Sequence, residues 1–268
     1  MTVSSLTRRP RSFVLSAGLV LVLATSTSTA AALSAQYHHV HLTATDPAAA
    51  VQWYSKNLGG QVTNIGPFAA ASFGKVTLIF FKAKEGFPGS VGSSVDHIGF
   101  SFKDIDAKMK ELRESGVEIV SGVEQEGPIK FAFVKDPWGT LIEIVQDPEI
   151  EGLHHVHLAT TDVKQTLQWY VDAFGGEISR FAGLTPGVRY GDVWVLAKKV
   201  DEPRAGTKGR SIDHLSWGFA DLDAAAVVLK AKGVKFESGP FAFGNGKIAF
   251  IEAPGGVRIE LVGPGSKK

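Results

Sequence analysis

Polar and apolar positions along this chain follow two periods that take turns. In one set of runs the period is two: Val40 and Leu42 alternate with His39, His41 and Thr43, Ile98 and Phe100 with His97, Gly99 and Ser101, and Leu215 and Trp217 with His214, Ser216 and Gly218. Such alternation predicts strands with one apolar face, suited to receive a helix, and one polar face. An aspartate follows each run, and then a stripe of helical period, as in Ala50, Trp53, Tyr54 and Leu58, or Leu167, Tyr170, Val171 and Phe174. Asp46, Asp104, Asp162 and Asp221 stand where helix N-caps belong, and Pro47 suits a first helical turn. Gly59-Gly60, Gly116, Gly175-Gly176 and Gly233 stand where helices stop. β-rich runs come next (75–81, 131–134, 192–196 and 248–251), and two of them lead through Asp136-Pro137-Trp138-Gly139 and Ala253-Pro254-Gly255-Gly256 into last strands at Leu141–Val145 and Arg258–Val262. The pattern is that of an α+β protein, with the aromatic residues of the helical stripes in its core.

The chain also repeats itself. Tyr37-His38-His39-Val40-His41-Leu42 returns as Leu153-His154-His155-Val156-His157-Leu158, Gln52-Trp53-Tyr54 as Gln168-Trp169-Tyr170, and Val95-Asp96-His97-Ile98 as Ile212-Asp213-His214-Leu215. Phe133 and the stretch from Pro137 to Glu143 return as Phe250 and Pro254 to Glu260. Two similar halves are expected, 36–149 and 150–263, followed by a short tail, 264–268. Each half divides again, because the motif of histidine strand, aspartate-capped helix and glycine starts at His39, His97, His155 and His214. The expectation is four units of strand, helix and shorter strands.

Composition narrows the classes. Of 268 residues, 44% are hydrophobic and 21% charged, a globular balance. A formal net charge of +1 offers no basic footprint for nucleic acid. With no cysteine, disulfides, thiolate ligands and a cysteine nucleophile are excluded, so any metal must be held by histidine and carboxylate. Residues 1–35 read as an export signal: Arg8, Arg9 and Arg11 precede an apolar run from Phe13 to Ala24, and Ala30-Ala31-Ala32 offers a cleavage site. The run is too short to span a bilayer comfortably. The expectation is a periplasmic or secreted protein with no membrane attachment once the signal is removed; oligomeric state is not legible.

All eight histidines fall in the four unit-opening strands: His38, His39, His41, His97, His154, His155, His157 and His214. In the last strands Glu143 lies between Ile142 and Ile144, and Glu260 between Ile259 and Leu261. A carboxylate between two aliphatic neighbours needs a cation or a proton. Two histidines and a glutamate per half make a donor set for Fe(II), Mn(II), Zn(II) or Ni(II). His41 and His157, two residues beyond the first histidine and on the same face, are the acid–base candidates. By strict alternation His38 and His154 point the other way. Lys130 and Lys247, preceding matching strands, read as solvated side chains.

In combination these motifs resemble the vicinal-oxygen-chelate superfamily, which includes glyoxalases, extradiol dioxygenases and bleomycin-resistance proteins. The motifs are His39-Val40-His41-Leu42 with its helix ending Trp53-Tyr54, the Asp96-His97-Ile98-Gly99-Phe100 strand, and Phe133 to Gly139 leading to Ile142-Glu143, each repeated in the second half; the resemblance covers roughly residues 37–262. It implies βαβββ modules paired into two domains with cupped mixed sheets. It also implies metal ligands at His39, His97, His155 and His214 from opening strands and at Glu143 and Glu260 from closing strands, with Leu78 and Val195 at the matching closing positions of the first and third modules. Pairing in chain order would group His39, His97 and Glu143, and His155, His214 and Glu260. Crossed pairing would group His39, His214 and Glu260, and His155, His97 and Glu143. The implied activity is divalent-metal chemistry on a small molecule with adjacent oxygens, by a dioxygenase or a glyoxalase-like isomerase or lyase route. Metal-free ligand binding, as in resistance proteins of the family, is the alternative. Phe133 and Phe250 stand where extradiol dioxygenases carry a tyrosine.

Overall fold

The computed structural model describes residues 1–2 and 35–265, so the expected export signal lies almost wholly outside the described residues. Four modules follow one another. The first holds β1 (Ala35–Ala44), α1 (Pro47–Leu58), β2 (Gln61–Ile65), β3 (Phe68–Phe73) and β4 (Val76–Lys82). The second holds β5 (Val95–Ser101), α2 (Ile105–Glu114), β6 (Glu118–Ile119), β7 (Glu124–Glu126), β8 (Ile129–Lys135) and β9 (Leu141–Val145). The third holds β10 (Gly152–Thr160), α3 (Val163–Phe174), β11 (Glu177–Phe181), β12 (Thr185–Tyr190) and β13 (Val193–Lys199). The fourth holds β14 (Ile212–Phe219), α4 (Leu222–Ala231), β15 (Lys235–Phe243), β16 (Gly246–Ala253) and β17 (Val257–Pro264). The four α-helices among the described residues begin as their sequences predict: the side chains of Asp46, Asp104, Asp162 and Asp221 accept backbone N–H groups of the first turn.

The modules pair crosswise. One sheet runs β15-β16-β17-β14-β1-β4-β3-β2 and joins the first module to the fourth; the other runs β11-β12-β13-β10-β5-β9-β8-β6 and joins the second to the third. The sequence halves 36–149 and 150–263 therefore do not each close a sheet of their own, and the chain-order grouping of ligands is replaced by the crossed one. Link length explains this. Val145, the last residue of β9, is paired with Ser101, and Ser101 is paired with Gly152, the first residue of β10. A short link thus carries the chain from β9 past β5 to lie beside it, and short links favour neighbours in one sheet. The longer links 83–94 and 200–211 cross between sheets and bridge each other at Ser93 and Ala205.

The apolar faces and the helices form a shared core. Tyr54 on α1 meets Phe80 of its own sheet and Phe100 of the other, at ring-centroid distances of 5.2 and 6.4 Å. Phe174 on α3 stacks on Trp217 of the opposite sheet at 4.3 Å. The Tyr54 hydroxyl donates to buried Asp136 at 2.8 Å, tying α1 to the turn before β9. Burial pushes the Asp136 carboxyl up to about 6 despite the N–H and O–H groups that donate to it. An acid whose folded pKa is raised keeps its proton while the unfolded chain has lost it, so its contribution falls as pH rises from about 4 to 6. The stability difference between the wild type and Asp136→Asn should therefore shift against the wild type by about 2–3 kcal/mol across that window. Urea unfolding at pH 4 to 7 measures it.

Candidate metal centre

Each sheet gathers its histidines at the junction between two opening strands. In the first sheet β1 and β14 run antiparallel with His41 opposite His214 and His39 opposite Ser216, and β17 lies parallel to β14 with Glu260 beside Ser216. In the second, His157 lies opposite His97 and His155 opposite Gly99, with Glu143 beside Gly99. The candidate ligand atoms of His39, His41, His214 and Glu260 all lie within 4.8 Å of one another, and so do those of His97, Glu143, His155 and His157. The six residues expected as metal ligands are thus brought together in two groups of three, each containing residues from both halves. His41 and His157 join them.

Strict alternation fails at four points, and each failure serves the site. Register shifts leave His38 and Asp213 as extra residues in the β1–β14 pair, and His154 and Asp96 in the β10–β5 pair. A bulge of this kind re-aims a side chain. Here it turns the residue before each opening-strand histidine back onto that histidine's Nδ1. Asp96 accepts from His97 Nδ1 at 3.0 Å and Asp213 from His214 Nδ1 at 2.5 Å. His38 Nδ1 meets His39 Nδ1 at 2.7 Å, and His154 Nδ1 meets His155 Nδ1 at 2.8 Å. His38 and His154 therefore do not face away from the site, as alternation had implied. The Asp-His and His-His pairs were visible in the sequence; the bulges that give them meaning were not.

With every Nδ1 engaged, the four Nε2 atoms turn to the glutamates. His39 Nε2 lies 2.9 Å and His214 Nε2 3.3 Å from Glu260 Oε2; His97 Nε2 lies 2.9 Å and His155 Nε2 3.2 Å from Glu143 Oε2. At metal-binding histidines in general, engaging the far ring nitrogen in this way fixes tautomer and ring orientation. His41 Nδ1, His155 Nε2 and His157 Nε2 are buried and find no hydrogen-bond partner among the described residues. Converging imidazole lone pairs and a carboxylate, with buried nitrogens left over, suit a divalent cation. The donors contain no sulfur, which fits Fe(II), Mn(II), Zn(II) or Ni(II) equally.

Electrostatics agree with ionised acids facing neutral imidazoles at His39, His41, His155 and His157. Burial lowers His39 to about 4 and His41 to about 3, and lowers His155 and, further, His157. Burial also opposes a charge on His97, but Asp96 and Glu143 outweigh it and raise that ring. Burial alone would raise Glu143 and Glu260; the surrounding histidines hold both well below the usual carboxylate range.

The two cups are not wired alike. His154 Nε2 donates to Asp147 Oδ2 at 3.0 Å, so its Nδ1 accepts from His155 and leaves His155 Nε2 as a lone pair. Among the described residues no such carboxylate hydrogen-bonds to His38, which is also more exposed. His154→Leu should weaken metal binding in the second cup about 10- to 100-fold, the usual effect of losing an outer-sphere partner. The first cup should be unchanged, and chelator competition separates the two. Lys130 and Lys247 take no part in either cup: they pair with Asp106 and Asp223 in the first turns of α2 and α4. A cleft of about 1340 Å³ between the sheets is lined by Tyr37, His38 and Tyr190 among others, but by none of the six expected ligands.

The fold and these paired clusters define a module class, and comparison with known proteins names it. The family described as Glyoxalase/Bleomycin resistance protein/Dioxygenase superfamily matches residues 36–144 and again 152–261, and the chain belongs to it. A "Probable lactoylglutathione lyase" of Synechocystis sp. is 30% identical over 128 residues, 43% of this chain and 98% of that protein. Glyoxalase I from Zea mays superposes with a TM-score of 0.69 at 19% identity, covering 86% of this chain and 92% of its own. A putative dioxygenase from Bacillus subtilis superposes with a TM-score of 0.65 at 15% identity, covering 86% of each chain. The two structures establish a shared fold.

Proposed function

We propose that this chain is an exported, divalent-metal-dependent enzyme that carries out glyoxalase-like isomerase or lyase chemistry on a small molecule with adjacent oxygens. The observation that carries the reading is the pair of His-His-Glu clusters, each assembled from both sequence halves and each with its Nδ1 atoms engaged elsewhere. His39, His214 and Glu260 would hold one ion, and His97, His155 and Glu143 the other. A bound ion would supply Lewis acidity and a template for two vicinal oxygens. The chain itself keeps both glutamates ionised, keeps His39 and His155 neutral and turned inward, and walls the first cup with Phe81, whose ring stacks on His41 at 4.0 Å. Similarity to the probable lactoylglutathione lyase of Synechocystis sp. supports the lyase class. Ring-cleaving dioxygenase chemistry is the weaker reading, because Phe133 and Phe250, 5.3 Å from His97 and 5.5 Å from His214, carry no proton to give.

Chain stripped with chelator and reloaded with Mn(II), Fe(II), Zn(II) or Ni(II) tests this. Hemithioacetals of 2-oxoaldehydes should turn over only when metal is restored, with no oxygen consumed. Oxygen uptake coupled to catechol turnover would transfer the chain to the dioxygenases. Tight ligand binding by the stripped chain, without turnover of either class, would make it a metal-free binding protein. Export belongs to the same proposal, and a mature N-terminus near Ala32 is expected from N-terminal sequencing of secreted material.

A further inference from the structure

We propose that His41 and His157 are metal ligands, completing each centre as a three-histidine, one-glutamate site. The inference rests on the metal reading above and deepens it. Strand register carries the argument. Glu143 is paired in parallel with Gly99, two residues after His97, and Glu260 with Ser216, two residues after His214. The same register in the other two modules pairs Ile79 with His41, two residues after His39, and Leu196 with His157, two residues after His155. The matching closing positions are therefore Ile79 and Leu196. Leu78 and Val195, expected there from the sequence, lie one residue off and on the opposite face, in the helix-facing core. Each adjoining pair of positions thus contains one donor. Where the closing strand offers glutamate, the opening strand carries Gly or Ser; where the closing strand offers an aliphatic side chain, the opening strand carries histidine. The fourth donor has moved one strand sideways.

Distances agree. Residues two apart on a strand share a face, and imidazoles at that spacing reach a common point. His41 Nε2 is 3.6 Å from Glu260 Oε2, and its ring centroid lies 4.7 Å from that of His39 and 4.2 Å from that of His214. His157 Nδ1 is 3.0 Å from His97 Nε2. Donor atoms within 4.8 Å of one another need to draw in by only a few tenths of an ångström to surround an ion that holds each at about 2.0–2.2 Å. The first site would take all three imidazoles through Nε2, the second two through Nε2 and one through Nδ1.

The experiment uses the full chain with Glu143→Ala, so that only the first cup is scored, loaded with Ni(II). X-ray absorption should count three imidazoles per nickel, and two after His41→Ala is added. Chelator competition should show affinity falling more than about 100-fold, beyond the range of an outer-sphere partner. Adding Ile79→Glu to the His41→Ala chain should return most of that affinity, which also shows that the fold survived. An unchanged imidazole count, or a loss within about 100-fold that Ile79→Glu does not repair, overturns the proposal while leaving a three-ligand metal site standing. Failure of the wild-type chain to bind Ni(II) at all overturns it together with the metal reading.

Discussion

A chain carrying both His39→Ala and Glu260→Ala is expected to hold one metal ion, and a chain carrying His39→Ala and Glu143→Ala none. The first pair is 221 residues apart in sequence, yet the two side chains meet at 2.9 Å. They belong to one cup, so the second substitution removes a ligand from a site already lost. The second pair comes from a single sequence half, yet it strikes both cups. Chain-order pairing predicts the reverse for the two double variants, so the experiment reads topology directly. Losing an inner ligand should take binding below what micromolar metal can fill. The effect is therefore expected as whole ions per chain by elemental analysis rather than as a graded shift.

Gly99→Ala should empty the second cup alone. A Cβ at Gly99 would stand 2.0 Å from His155 Cε1 and 2.3 Å from its Nδ1, inside the space of the ring. The ring cannot yield without leaving both its 2.8 Å contact with His154 and its approach to Glu143. Overpacking of this kind costs about 1–3 kcal/mol where a core can adjust; here the adjustment is the displacement of a ligand. The equivalent place opposite His39 already holds Ser216, so the first cup has no matching vulnerability. Metal content should fall from two ions to one with a modest drop in the urea midpoint. Retention of both ions would mean that His155 does not ligate from this position.

The sequence was informative where a pattern has a local cause. The four N-caps, the module repeat and the polar strand faces follow from side-chain chemistry acting over a few residues, and the structure places them as expected. The six ligand candidates were legible because histidine and glutamate recur at matched places among aliphatic neighbours. What local chemistry does not fix is which modules share a sheet: both pairings satisfy the same alternation, and link length between modules decides. The bulges at His38, Asp96, His154 and Asp213 were hidden for a related reason, since an extra residue is defined only against its partner strand. The same limit put Leu78 and Val195 at positions that belong to Ile79 and Leu196, because an error of one residue in register inverts the face.

Anomalous diffraction from crystals of the full chain grown with Zn(II) or Mn(II) tests the central claim most directly. Two peaks per chain are predicted, one bounded by His39, His214 and Glu260 and one by His97, His155 and Glu143. Peaks confined to surface carboxylates, with both histidine clusters bare at millimolar metal, would contradict it.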